Sequence, residues 1–591
     1  MKWLAYTLAV LSGFVSVIVI PVAINLTDYR LDLIPYGWIS FGVFIVATLL
    51  VLFLETRTFL TGKKTKLVDV DPMNRSQHLL TILIALAGAL NVGNAAEPYC
   101  EPWRPQYHFT PPRNWINDPN GMVYYDGEYH LFFQHNPEGD KWGHMSWGHA
   151  VSKDLLHWEH LPVALREEND VMIFSGSVVV DWKNTSGFGK EGKPPLVALY
   201  TGHHTKKPRQ EQHLAYSTDR GRTWTKFAGN PVLDIGEKDF RDPKVIWHAQ
   251  SGRWVMAVAW PVKRQVRYYA SPDLKAWTHL SDFGPAGSVE GIWECPDLFP
   301  MEVEGKTRWV LVVNVGSGAP AGGSGCQYFV GDFDGRTFAI DPSHPRKKPG
   351  QNIEPALWLD HGPDFYAAVT WSDIPARDGR RIALGWMSNW QYANDVPTTP
   401  WRSAMTVPRE LSVITTKAGP RLASAPVREL STNRGPVQRF DGGTAAEATA
   451  WAKKAGVRSG PLDLTVKFVP AASGNAGVKL FVGDKEETVV SVDRDKALVV
   501  VERTRSGTVG FSPKFEAFAT APLADPAGKV ELRILLDACS VEVFVNGGTQ
   551  VLTALVFPSP ASRGLELFAA NNAPTVSSIE AWPLASCWKA K

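Results

Sequence analysis

The chain has 591 residues, room for roughly three or four domain equivalents at about 150 residues each, and its 61 Lys+Arg against 59 Asp+Glu leave a net charge of only +2. So even a balance supplies no basic field for nucleic acid. An aromatic content of 11%, with 23 Trp, 50 Gly and 43 Pro, excludes disorder, collagen and coiled coil and suits a turn-rich protein with many flat stacking surfaces.

Residues 3–26 and 33–54 carry no charged side chain, and each run exceeds the roughly 20 residues that span a bilayer core. Both read as transmembrane helices. A third uncharged run, 79–96, is shorter, follows Met73-Asn74-Arg75 and ends in Gly93-Asn94-Ala95-Ala96, the layout of a secretory signal peptide. Arg57, Lys63, Lys64, Lys66 and Arg75 lie between the second and third runs, so the positive-inside rule puts that segment in the cytoplasm and everything after Ala96 outside. Two readings stand for residues 1–72: a membrane hairpin that anchors the protein, or an overlong gene model ahead of a true start at Met73. Residues 73–96 are expected to be removed, which makes the rest secreted or periplasmic, with membrane contact only through the N-terminal segments.

From residue 97 the pattern is short strands and turns, as in Met122-Val123-Tyr124-Tyr125, Tyr129-His130-Leu131-Phe132-Phe133 and Trp254-Val255-Met256-Ala257-Val258. Ser152-Lys153-Asp154-Leu155-Leu156-His157-Trp158, Ser217-Thr218-Asp219-Arg220-Gly221-Arg222-Thr223-Trp224 and Ser271-Pro272-Asp273-Leu274-Lys275-Ala276-Trp277 repeat a Ser-x-Asp turn closed by Trp. Asp332-Phe333-Asp334-Gly335-Arg336-Thr337-Phe338 is a degenerate fourth copy. Repeats at this interval suit one four-stranded blade each, which predicts a five-bladed β-propeller over 97–425. Upstream of each turn stands a polar motif: Asn117-Asp118, Phe174-Ser175-Gly176-Ser177, Arg241-Asp242 and Glu294-Cys295, continued by Asp364-Phe365-Tyr366-Ala367. If these open the innermost strands of successive blades, they converge on one end of a central channel. Residues 426–460 read as linker and irregular structure. Strand-like runs then resume over 461–591, including Ser540-Val541-Glu542-Val543-Phe544-Val545 before the hairpin signal Asn546-Gly547, and predict a β-sandwich. The fold class is therefore all-β: propeller, then sandwich, preceded by hydrophobic N-terminal segments.

Asp118 in Asp118-Pro119-Asn120-Gly121 could serve only a turn, and Arg241-Asp242-Pro243 only an ion pair. Three carboxylates, Asp118, Asp242 and Glu294, at equivalent repeat positions are harder to explain structurally, because like charges around one pocket repel. Glycoside cleavage needs such a pair, one carboxylate as nucleophile and one as proton donor. Rival motifs fail. Gly316-Ser317-Gly318-Ala319-Pro320-Ala321-Gly322 lacks the third glycine and the helix of a dinucleotide fingerprint. His203-His204 reads as an exposed loop pair with no third ligand indicated by spacing, and the five cysteines form no Cys-x-x-Cys pair, so no metal and no cofactor is called for.

Residues 115–121, Phe133-Gln134-His135-Asn136-Pro137, Trp142-Gly143, Ser146-Trp147-Gly148-His149, Phe174-Ser175-Gly176-Ser177, Arg241-Asp242-Pro243 and Glu294-Cys295-Pro296 together resemble glycoside hydrolase family 32, the β-fructosidases. Asn184-Thr185-Ser186-Gly187-Phe188-Gly189 and Gly385-Trp386-Met387-Ser388-Asn389-Trp390-Gln391-Tyr392 are more similar to its exo-acting inulinases and levanases than to plant invertases. The resemblance implies Asp118 as nucleophile, Glu294 as general acid/base and Asp242 as the carboxylate that stabilises the transition state. It implies Asn117, Gln134, Trp142, Ser175, Arg241 and Trp386 around a terminal fructose of fructan or sucrose. Phe174 and His135 depart from the residues usual there. An invertase, a fructosyltransferase and, outside enzymes, a carbohydrate-binding module are the alternatives.

Overall fold

The computed structural model describes residues 99–347, 354–515, 518–570 and 575–588. The segments expected to cross the membrane or direct export, 1–72 and 73–96, lie outside the described residues, among which no helix is long and apolar enough to cross a membrane.

The described strands form seven sheets. Sheet 1 is ordered Trp401–Arg402, Asn114–Tyr125, Glu128–Asn136, Ser146–Ser152, Trp158–Leu165; sheet 2 is Val171–Val180, Leu196–His204, Arg209–Ser217, Thr225–Lys226. Sheet 3 is Arg241–His248, Arg253–Trp260, Gln265–Ser271, Thr278–Phe283. Sheet 4 begins with Trp293–Val303 and sheet 5 with Tyr366–Thr370. Asn114–Tyr125 in sheet 1 and the leading strands of sheets 2–5, the first of each in chain order, touch one another in succession, and the one in sheet 5 touches Asn114–Tyr125. Trp401–Arg402 pairs in parallel with Asn114 and Trp115, returning the chain after sheet 5 to sheet 1.

The repeated Ser-x-Asp turn is a hydrogen-bonded device. Asp154 Oδ1 accepts from the Leu156 and His157 amides at 3.0 and 2.8 Å, and Asp273 Oδ1 accepts from Lys275 and Ala276 at 2.9 Å each. The closing indoles donate to a backbone carbonyl three residues back, Trp158 to Leu155, Trp224 to Gly221 and Trp277 to Leu274, at 3.0–3.1 Å. In the fourth copy Asp334 Oδ1 accepts from Arg336 and Thr337 at 2.8 and 2.7 Å.

Two further sheets of six and five strands enclose the largest apolar cluster, with Leu464, Val466, Ile534 and Val543 from one and Val478, Val490 and Val499 from the other. Asn546-Gly547 makes its hairpin between Ser540–Val545 and Gln550–Leu555. The stretch expected to be irregular, 426–460, is more ordered than its composition suggests. It holds a 3-10 helix (Arg428–Asn433), a strand (Gln438–Phe440) that joins the six-stranded sheet, and helix α1 (Ala445–Ala455). Helix α1 opens on a capping box between Thr444 and Glu447 and ends at Gly456, φ 71°. Its short alanine-rich face gives a weak periodic signal, whereas the capping box is the legible mark.

Candidate active site

All five polar motifs fall at the leading ends of the first strands of sheets 1–5, and each of these strands loses register there. The breaks lie between Asn117 and Pro119, between Phe174 and Gly176, opposite Asp242-Pro243, between Glu294 and Asp297, and between Tyr366 and Val369. A bulge leaves one residue unpaired and re-aims its side chain. Proline explains three of them: Pro119, Pro243 and Pro296 cannot donate to the ladder. Asp242, Cys295 and Ala367 take φ of 66°, 43° and 51°, a conformation costly for residues with a Cβ and tolerated where the surrounding structure enforces it. The Asp-Pro-Asn-Gly sequence is accordingly a bulged strand, not a turn.

The bulged side chains meet in a pocket of about 380 Å³ lined by Asn117, Asp118, Gln134, Trp142, Phe174, Ser175, His203, Gln210, Asp239, Arg241, Asp242, Glu294 and Trp390. Beneath it the channel narrows to a void of about 10 Å³ beside Pro119, Asn120, Asp242, Lys244 and Cys295. There Lys244 Nζ spans to Asp297 Oδ1 and the Thr370 carbonyl, 2.9 Å each. Lys244 thus crosses the narrow part of the channel below the pocket.

Ser175 Oγ donates to Asp118 Oδ2 at 2.9 Å, and the Cys295 amide donates to Asp242 Oδ2 at 2.9 Å. The Cys295 sulfur lies 3.6 Å from both carboxylates. Arg241 donates to Glu294 Oε1 from Nε (3.0 Å) and Nη2 (2.9 Å), and its Nη1 is held by Gln210 at 3.1 Å and Asp239 at 3.3 Å. The Tyr366 hydroxyl donates to the other oxygen of Glu294.

Burial pushes the Asp118 carboxyl above its ordinary range and the Glu294 charge adds to this, against hydrogen bonds from Asn117 and Ser175. Burial likewise pushes Asp242 up to about 7; Arg241 and the Cys295 amide oppose the shift, and the charges of Glu294 and Asp118 add to it. Burial, reinforced by Asp242 and Asp118, keeps the Cys295 thiol protonated. Among the described residues, Asp118 Oδ1, Gln134 Nε2 and Trp386 Nε1 are buried without a hydrogen-bond partner. Such groups are costly unless something supplies the missing bond.

Eight of the nine side chains singled out from the sequence line this pocket: Asp118, Asp242, Glu294, Asn117, Gln134, Trp142, Ser175 and Arg241. Trp386 does not. It is fully buried on the strand Arg381–Met387, and Trp390, tilted against it at 4.8 Å between ring centroids, lines the pocket instead. The sequence reading passed over Gln210, Asp239 and Tyr366 as site residues. His203, read there as one of an exposed pair, stacks at 4.5 Å on Phe174 in the pocket wall. Register across the hairpin of sheet 2 pairs His203 with Gln210, a contact only a known hairpin alignment would expose.

Residues 108–426 match the model of the glycosyl hydrolases family 32 N-terminal domain, and residues 429–583 match that of the family 32 C-terminal domain. The chain is 49% identical over 518 residues to a levanase of Bacillus subtilis, spanning 86% of this chain and 74% of the levanase. It is 40% identical over 536 residues to an extracellular exo-inulinase of Aspergillus ficuum, spanning 85% and 98% of the two chains. Among solved structures, the exo-inulinase of Aspergillus awamori superposes with a TM-score of 0.76 at 38% identity, covering 83% of this chain and all of the other.

Proposed function

The chain belongs to glycosyl hydrolase family 32, and from that premise we propose that its pocket removes terminal β-D-fructosyl units by a retaining double displacement. The protein is a glycoside hydrolase, an exo-acting fructan β-fructosidase, with levan, inulin and sucrose as the substrate class. In this reading, Glu294 protonates the glycosidic oxygen while Asp118 attacks the anomeric carbon, and water then opens the fructosyl-enzyme with Glu294 acting as base. Asp242 and Arg241 hold ring hydroxyls by charge-assisted bonds. The unpartnered atoms of Asp118 and Gln134 supply an acceptor and a donor that a sugar hydroxyl satisfies. Tyr366 and Arg241 orient the two oxygens of Glu294. The five sheets are read as the blades of a five-bladed propeller, supported by the closed ring of their first strands. On this reading the propeller gives way to the sandwich module after about residue 425, in keeping with the two matched regions. Export is the corresponding proposal for the cellular site, in keeping with the extracellular relative.

The narrowing below the pocket, from about 380 Å³ to a void of about 10 Å³, supports the exo reading. A terminal fructosyl ring can enter and satisfy the buried groups, whereas an internal ring brings a second linkage that meets the floor of Pro119, Asn120 and Lys244. Free fructose should dominate the products of levan and inulin from the earliest time points while long polymer persists. An early ladder of oligofructans with rapidly shortening polymer would overturn the exo assignment, and chain growth on sucrose would mark a transferase.

A further inference from the structure

The hairpin Leu196–His204/Arg209–Ser217 in sheet 2 serves the pocket with one face only. His203 and Gln210 face the sugar site, and strand alternation places their neighbours His204 and Glu211, together with His213, on the other side. There Glu211 Oε1 lies 3.0 Å from His204 Nε2 and 2.9 Å from His213 Nε2. One ligand atom from each of the three residues lies within 4.8 Å of the others, and this is the only such His/Cys/Asp/Glu group among the described residues. Spacing along the chain gave no hint of this grouping, because Glu211 and His213 reach His204 from across the hairpin.

Several features suit a cation. Zinc bonds of about 2.0–2.1 Å put the ligand atoms of a tetrahedral site roughly 3.3 Å apart, so a small opening of this cluster accommodates the ion. Glycine at 202 leaves room for the imidazole: a Cβ there would stand 2.8 Å from His213 Nε2. Side-chain exposure rises from 8% at Glu211 through 15% at His213 to 34% at His204, so the cluster has a buried floor and one side open to water. Arg209 Nε approaches the other oxygen of Glu211 at 3.3 Å, and its Nη2 is engaged by Asp234, which leaves Oε1 to the histidines. Burial holds the His213 imidazole below its ordinary range. Burial would raise the Glu211 carboxyl, but hydrogen bonds from His204 and His213 outweigh this and hold it low.

We propose that His204 Nε2, Glu211 Oε1 and His213 Nε2 form a binding site for a divalent transition cation of the zinc type, with a fourth position open to water. The site lies behind the sugar pocket, and the hydrolytic mechanism does not depend on it. Because the unfolded chain does not hold these three groups together, the bound ion adds to the stability of sheet 2.

The test is calorimetric titration of the untagged, chelator-stripped full chain with zinc near neutral pH. One ion should bind per chain and raise the melting temperature. Cobalt in place of zinc should develop the intense visible absorption of a four- or five-coordinate site. H204A and H213A should each weaken zinc by at least about tenfold and abolish the melting shift while retaining the far-ultraviolet dichroism of the parent. Failure of the parent chain to bind zinc at millimolar concentration, a six-coordinate cobalt spectrum, or equal zinc affinity in parent and both variants would each overturn the proposal.

Discussion

Asp118, Asp242 and Glu294 line one pocket, with the Arg241 guanidinium bound to Glu294, and burying these carboxylates together has a cost that pH reveals. Asp242 is pushed up to about 7 by burial, far above the roughly 3.9 of a free aspartate. A raised carboxyl is protonated in the folded state while the unfolded chain has already ionised. Stability is therefore lost as pH rises from about 4 to about 7, and the loss is complete above that. D242N should accordingly raise the melting temperature at mildly alkaline pH by at least about 2 °C, with the gain vanishing toward pH 4 and with activity lost; an equal shift at both ends would remove the electrostatic explanation. The two reacting carboxylates should fail differently. D118N should abolish turnover of every fructoside, whereas E294Q should lose about 10²–10⁴-fold on sucrose or fructan and much less on fructosides with activated leaving groups. Equal losses on both substrate kinds in E294Q would show that its role is not proton donation.

At the scale of the strand, the bulges that aim the site and the turns that close the sheets are separable. Gly176 follows the bulged Ser175, and a Cβ there would sit 2.1 Å from the Leu199 carbonyl oxygen. G176A should displace the neighbouring strand, cost about 1–3 kcal/mol and lower kcat/KM as Ser175 moves off Asp118. Asp273 ties a turn at the outer side of sheet 3 through the Lys275 and Ala276 amides. D273A should also cost about 1–3 kcal/mol, with kcat/KM unchanged. Denaturant unfolding and steady-state kinetics on the two variants check the separation; a kinetic defect in D273A would mean that the turn and the site are coupled.

Across the whole molecule, the ring of sheets and the sandwich are joined by buried charge. His108 lies 2.8 Å from both Asp537 and Glu542, and Arg409 bridges Glu542 and Asp360. A second bridge runs from Arg503 to Asp364 at 2.7 Å. Burial alone would depress His108, but its hydrogen bonds to Asp537 and Glu542 outweigh this and raise it to about 9. A raised histidine contributes its full stability below its unfolded value of about 6.5 and loses it as pH rises through the folded one. The melting temperature of the described unit should therefore fall between pH 7 and pH 10. H108Q should melt lower at pH 7 and show a smaller further decline, and parallel slopes would exclude His108 as the titrating group.

The sequence by itself carried the all-β class, the Ser-x-Asp turns and the Asn546-Gly547 hairpin, because turn chemistry and strand alternation are local and each residue reports its own backbone. It also carried Asp118, Asp242 and Glu294 as one set, since repetition converts chain order into spatial equivalence. Helix α1 escaped because a short alanine-rich face has little periodicity. The tertiary structure alone decided that Trp390 rather than Trp386 reaches the pocket: the strand Arg381–Met387 is packed on both faces, and the indole in the turn beyond it is the one left free to point inward. It alone brought Glu211 and His213 to His204 and laid His108 between Asp537 and Glu542. Those contacts depend on which residues stand opposite across a hairpin or a module interface, and register of that kind is set by the packing of the whole fold.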